Sequence, residues 1–380
     1  MSEPIRWAWA DIDLDAIAHN VRVLRERVAP SELWAVVKAD GYGHGAVDVA
    51  RAAVGAGAEG LCVALVDEGI ELRKAGIDDP ILILSEQPPE AAARIVKYEL
   101  TPTVYRRSFL DALAAEGPKE LAVHLKIDTG MQRVGIHPRA AATMAAEIAQ
   151  REPALLLAGI FTHLAVADGD DAASIKFTDT QLAEFRKVYE QLPAVPYVHA
   201  ANSAAALARP DARLSFARAG IAVYGISPGH GVDHLCADLV PAMALRARVS
   251  FVKKVRSGSC ISYGLRHRFS GDTTVATIPI GYADGVPRRL SAVGGEVLIG
   301  GRRRPIVGVV TMDQLMVDCG DDDVNVGDDV TLLGSQVGPE GHRDEIRAVE
   351  WAEALDTIGY EIVCGVSKRI PRVPRRNIEL

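Results

Sequence analysis

Lys38 closes the apolar run Trp34-Ala35-Val36-Val37 and is followed by Ala-Asp-Gly-Tyr-Gly-His-Gly. Apolar neighbours disfavour the charged form of an amine and lower its pKa. An amine that is partly neutral near pH 7 can attack an aldehyde and form an imine. The glycines behind Lys38 permit a tight turn and a close backbone approach. Other apolar runs also end in polar side chains that a packed core would not select. One ends at Lys126 and Asp128, with Gly130-Met-Gln-Arg133 beyond. The next gives His163 and Asp168, another His199, Asn202 and Ser203, and the last Arg218 with Gly220 and Ile221. If these runs are strands of one barrel, their ends converge on a single rim, where such barrels hold their chemistry.

The elements that would position these residues are legible as alternation. Short apolar runs fall at 33–37, 61–65, 81–84, 102–105, 121–127, 157–164, 197–200 and 214–217. Amphipathic, Ala-rich stretches at 15–28, 46–56, 67–75, 107–116, 139–151 and 179–191 separate them. Strands alternating with helices imply a parallel sheet, and eight such units suit an α/β (β/α)8 TIM-type barrel better than an open sheet. From about Met243 the pattern becomes strand-rich with glycine and aspartate turns, which predicts a mostly antiparallel β domain. One short helix is expected at 349–357. The expected division is a barrel over 11–238 and a β domain over 239–380, joined by residues 1–10. The literal GxGxxG at Gly55–Gly60 precedes a strand instead of following one, so it cannot cradle a dinucleotide phosphate.

Composition removes several function classes. The net charge of −8 gives no electrostatic footprint for nucleic acid. No run of 18 apolar residues suggests a membrane span, and no signal peptide is expected at the N-terminus. Five cysteines without a CxxC argue against a disulfide framework or a metal site and fit a reducing cytoplasm.

Eight ordered blocks carry a resemblance: WADIDLDAIAHN, AVVKADGYGHGA, LKIDTGMQRVGI, FTHLAVAD, ARAGIAVYG, ISYG, IPIGYADG and TMDQLMVD. Together they resemble the alanine racemase family over nearly the whole chain. The resemblance implies a pyridoxal 5'-phosphate (PLP) barrel, a C-terminal β domain and racemisation of alanine by two bases. It implies Lys38 as the PLP lysine and one base, and Tyr263 as the base on the opposite face. An ordinary tyrosine has a pKa near ~10, so Tyr263 needs cationic neighbours, with Arg133 and His163 as the implied partners. Arg218 matches the arginine facing the pyridine nitrogen, which leaves that nitrogen unprotonated and the electron sink weak. Tyr42, Ser203, Tyr360 and the amides of Gly220 and Ile221 match phosphate ligands. Arg133 and Met312, the latter through its backbone, match contacts to the substrate carboxylate. Lys126, His199 and Asp313 match supporting residues, and Lys126 matches a lysine often carbamylated in the family. A homodimer with shared active sites and a role in making D-alanine for peptidoglycan are implied by the same resemblance.

Three positions depart from the family pattern. Asp40-Gly41 stands where Asn-Ala is common, Val309 where arginine often gates the substrate corridor, and Thr311 where Cys or Ser is common. Two other readings stay open: a racemase of another small amino acid such as serine, and a non-catalytic PLP-binding barrel.

Overall fold

A computed structural model describes residues 6–376. Two compact units divide the chain, with boundaries after Asp15 and after Val240. Strand β1 (Ala8–Asp13) pairs with strands of the C-terminal sheet along its whole length, so it crosses the expected boundary at residue 11.

The first unit is a parallel eight-stranded sheet rolled into a nearly closed barrel. Its strands are β2 (Glu32–Val36), β3 (Gly60–Val63), β4 (Ile81–Ile83), β5 (Thr101–Val104), β6 (Leu121–Lys126), β7 (Leu155–Phe161), β8 (Tyr197–His199) and β9 (Phe216–Ala219). They neighbour one another in the order β8-β7-β6-β5-β4-β3-β2-β9. The two end strands meet through flanking bonds, Ser215 N–H to Val198 O at 2.9 Å and Arg218 N–H to Ala201 O at 3.0 Å. All eight expected strands are present. They were readable because parallel strands covered on both faces are continuous apolar runs. Two helices lacked a readable period because each is only six residues long, Ala92–Lys97 and Ser203–Ala208. The helix expected from residue 179 starts at Ala172, where the Asp171 carboxylate accepts from the amides of Ala173 and Ser174 and caps it.

Large rings fill the barrel interior near the strand starts. Trp34 stacks on Phe216 at 4.4 Å, and Tyr197 meets Trp34 edge-on at 5.8 Å. Side chains two residues further along each strand point the same way. The inward ladder therefore runs from Trp34 to Val36, from His124 to Lys126 and from Phe216 to Arg218, and Lys38 lies just past the end of the first of these strands.

The second unit holds β10 (Met243–Arg248), β11 (Phe251–Val255), β12 (Cys260–Ile261), β13 (His267–Arg268), β14 (Thr273–Ile278), β15 (Glu296–Ile299), β16 (Arg302–Val307), β17 (Leu315–Asp318), β18 (Asp329–Val337), β19 (Arg343–Ile346) and β20 (Arg372–Arg375). The main sheet runs β11-β14-β17-β16-β15-β18-β10-β1-β20, with β19 on β18, and only the β1–β20 pair is parallel. The apolar stretch 304–318, which reads as one strand, is two. Gly308 takes a left-handed φ of 75°, and a turn closed by Thr311 N–H to Gln314 O at 2.9 Å separates β16 from β17. Helix Ala348–Leu355 matches the expected one and a second, Gly359–Gly365, follows it. Among the described residues no helix is long and apolar enough to cross a membrane.

Candidate active site

Lys38 lies directly beyond the end of β2 and opens a turn of the wrong hand. Ala39, Asp40 and Gly41 have φ/ψ of 52/49°, 55/48° and 59/45°, and Tyr42 has φ 51°. For L-residues this region costs roughly 1–2 kcal/mol each. The surrounding bonds hold it. Gly41 N–H donates to Val37 O at 2.9 Å and Gly43 N–H to Ala39 O at 3.0 Å. The Asp40 carboxylate accepts from Ala46 N–H at 3.0 Å. Glu68, from the helix after β3, accepts from three amides: Ala39 at 2.7 Å, Ala64 at 2.8 Å and Leu65 at 3.0 Å. Hydrogen bonds to an ionised carboxylate contribute about 2 kcal/mol each. Glu68→Ala is therefore expected to speed amide exchange at Ala39, Ala64 and Leu65 by more than about tenfold. Unchanged protection at Ala39 would remove Glu68 as the clamp of this turn.

Arg218 is 3% exposed. Its guanidinium donates to Thr162 O and Ala200 O, both at 2.9 Å, and meets His199 Nδ1 at 2.6 Å and His163 Nδ1 at 3.5 Å. No carboxylate is among these partners. Burial pushes its pKa down to about 10, so it stays charged at neutral pH. Burial and this charge hold His163 and His199 well below the usual histidine range. Lys126, 5% exposed, is lowered to about 7, first by burial and then by Arg218, Arg133 and Lys38, with Asp128 opposing. Its ammonium lies 5.3 Å from the Phe161 ring. Cys62 on β3 is buried close enough to Arg218 and Lys38 to feel both charges, yet burial still pushes its thiol up to about 12.

An anion cradle stands on the side of β9. Ser203 Oγ accepts from Gly220 N–H at 2.8 Å and from Ala222 N–H at 3.5 Å. Asn202 caps the helix that carries Ser203 through Ala205 N–H at 3.0 Å. A Cβ on Gly220 would stand 2.5 Å from the Tyr42 hydroxyl, so glycine leaves the room that hydroxyl occupies. Ile221 follows in a short 3-10 turn and is fully buried. The barrel mouth thus brings together Lys38, Tyr42, Lys126, His163, His199, Ser203, Arg218, Gly220 and Ile221. Arg133 is exposed, in the segment after β6.

Tyr263, Met312, Asp313 and Tyr360 belong to the β unit. Tyr263 follows the β12 strand and is 73% exposed. The residue before it, Ser262, has φ 64° and ψ −176°, a region normally open only to glycine, and its hydroxyl donates to Val309 O at 3.0 Å. The Val309–Asp313 loop is bound in turn by Tyr282 N–H to Thr311 O at 2.9 Å and Ala283 N–H to Met312 O at 3.0 Å. Asp313 accepts from Arg369 at 2.7 Å. Tyr360 lies in the first turn of helix Gly359–Gly365.

Sequence reasoning passed over Glu68 and His124. Glu68 gave no signal, being one acidic residue in a helix start. His124 did give one: it lies two residues before Lys126 on a strand, hence on the same inward face.

Comparison with known proteins covers both units. Residues 12–228 match the family model for the alanine racemase N-terminal domain, and 242–374 that for the C-terminal domain. Alanine racemase of Symbiobacterium thermophilum is 44% identical over 376 residues, 97% of each chain. That of Thermobifida fusca is 44% identical over 97% of this chain and 98% of its own. The crystal structure of the Enterococcus enzyme from E. faecalis superposes with TM-score 0.90 at 40% identity, covering 97% of this chain and 98% of that one. The Bacillus anthracis alanine racemase, solved with bound L-Ala-P, gives TM-score 0.90 at 37% identity over 99% and 97%. The chain belongs to the alanine racemase family.

Proposed function

We propose that this protein interconverts L-alanine and D-alanine with pyridoxal 5'-phosphate, using Lys38 and Tyr263 as bases on opposite faces. The observation that carries the reading is Arg218, a buried cation at the barrel mouth whose partners are carbonyls and histidines and include no carboxylate. Such a group suits a neutral pyridine nitrogen and excludes the acidic partner that a strong electron sink requires. The residues fit the cofactor: Lys38 can hold its aldehyde carbon, Arg218 its ring nitrogen, and Tyr42, Ser203 and the amides of Gly220 and Ile221 its phosphate, with Tyr360 as a further ligand. When bound, the cofactor withdraws electrons from the amino acid and acidifies its α-proton. Lys38 Nζ takes or returns that proton on one face and the Tyr263 hydroxyl on the other. Arg133 and the Met312 backbone hold the substrate carboxylate. His199 keeps Arg218 in place.

Purified protein supplied with cofactor and L-alanine should produce D-alanine until the isomers are equal. L-serine run in parallel separates the alternative small substrate, and a coloured protein that forms no D-amino acid would overturn the reading in favour of a carrier. A cytoplasmic enzyme supplying D-alanine for peptidoglycan is the accompanying role. Five free cysteines support that compartment, and loss of the gene should make growth depend on added D-alanine. We further propose a homodimer with shared sites. Tyr263, Leu265, Met312 and Ile358 are all more than half exposed, and a second copy would cover such apolar side chains. Activity in a strictly monomeric dilution would reject it.

Lys126 is assigned to carbamylation. With a pKa of about 7 its amine is largely neutral at pH 8. Its nitrogen lone pair bonds to the carbon of CO2 and one N–H proton leaves to solvent, giving a carbamate anion beside two arginines. Incubation with 13C-labelled bicarbonate should give a carbamate signal at pH 8. That signal should fade as pH falls below about 7 and be absent in Lys126→Met. A pH-independent signal would assign the label elsewhere.

A further inference from the structure

Behind Arg218 stands a chain of three side chains whose hydrogen-bond direction is forced. A guanidinium has no acceptor, so Arg218 Nη1–H donates to His199 Nδ1 at 2.6 Å. The His199 proton is then on Nε2. That N–H donates to His124 Nδ1 at 2.9 Å, so His124 is neutral and carries its own proton on Nε2. Protonating His199 on both nitrogens would set N–H against N–H at Arg218.

Three separate features build His124 into this place. The β6–β7 ladder shifts register between Val123 and His124, pairing Val123 with Leu157 and His124 with Gly159, so Ala158 is an extra residue. Bulges of this kind re-aim a side chain beside a site. Opposite the ring, Gly159 leaves the room it needs: a Cβ there would stand 2.5 Å from the imidazole. The receiving ring is held as well, with His199 stacked between Phe161 at 4.7 Å and Phe216 at 4.0 Å.

We infer that His124 is a positioning residue that locks His199 in the Nε2–H tautomer, so that the Nδ1 lone pair stays aimed at Arg218. The inference rests on the proposed role of Arg218 toward the cofactor. If His124 is removed, the fully buried His199 is left with an N–H that has no acceptor, and the pressure on that ring is to exchange tautomer or turn. Either change withdraws the Arg218 partner.

The test uses holoprotein labelled with 15N-histidine, comparing wild type, His124→Leu and His124→Asn. The asparagine carbonyl takes the place of the Nδ1 acceptor. His199 should show one Nε2–H tautomer in wild type and in His124→Asn, and a mixed or altered signal in His124→Leu. The rate constant kcat should fall about tenfold in His124→Leu with KM little changed, and recover in His124→Asn. If His124→Leu fails to fold, Gly159→Ala crowds the same ring and should disturb the same signal. An unaltered His199 tautomer in His124→Leu or Gly159→Ala, or equal loss in the leucine and asparagine variants, overturns the lock. The cofactor absorbance of Arg218→Lys reports separately. No spectral response there refutes the role of Arg218 itself, while the tautomer signal still decides the lock.

Discussion

Lys38→Ala is expected to lower alanine racemisation by at least about 10⁴-fold, because one substitution removes both the covalent anchor of the cofactor and a base. The two losses can be separated by measurement. Borohydride reduction followed by mass spectrometry should add the cofactor mass to the wild-type chain at Lys38 and add nothing to the variant. Folding should survive, since backbone bonds and Glu68 hold the turn after Lys38. A variant that keeps more than about a tenth of the wild-type rate would take the covalent role away from Lys38 and reopen Lys126, the other lysine at the mouth.

The second large effect belongs to Tyr263→Phe. Losing one general base or acid lowers a rate by roughly 10²–10⁴-fold. Tyr263 lies in the β unit, while the lysine, Arg218 and the amides of Gly220 and Ile221 lie in the barrel unit. The variant should accordingly bind cofactor with its colour unchanged. The decisive reading is α-proton exchange in D2O. With Lys38 as the base for the D-isomer, D-alanine should still exchange its α-hydrogen and L-alanine should almost cease to do so. Equal exchange of both isomers, or undiminished racemisation, would reject the two-face assignment.

Much of this arrangement was legible because its signals are local. Apolar runs with polar ends give barrel strands and rim residues together, so Lys38, Lys126, His163, His199 and Arg218 could be placed from order alone. The left-handed turn could not. Ala39 and Asp40 are ordinary L-residues, and their conformation is held by local bonds through Val37, Ala39 and Ala46 together with Glu68, 29 residues away. The break at Gly308–Gln314 was hidden inside an apolar run because the two halves pair as adjacent strands of one sheet. His124 was passed over, and its partner His199 comes from a strand 75 residues away in sequence. Protonation was the least legible property. His163 invites a cationic role by type, whereas burial and the Arg218 charge hold it well below the usual histidine range.

The turn behind Lys38 also has a bearing on biogenesis. Its first amide is held by Glu68, which arrives only after β3 has paired with β2. A nascent or half-folded chain lacks that support, and its residues 39–42 will favour the right-handed or extended conformations open to them. The reactive amine is therefore presented in its working pose only once this edge of the barrel is assembled. If Lys38 carries the cofactor as proposed, the pose that receives it would be completed only when β2 and β3 have paired.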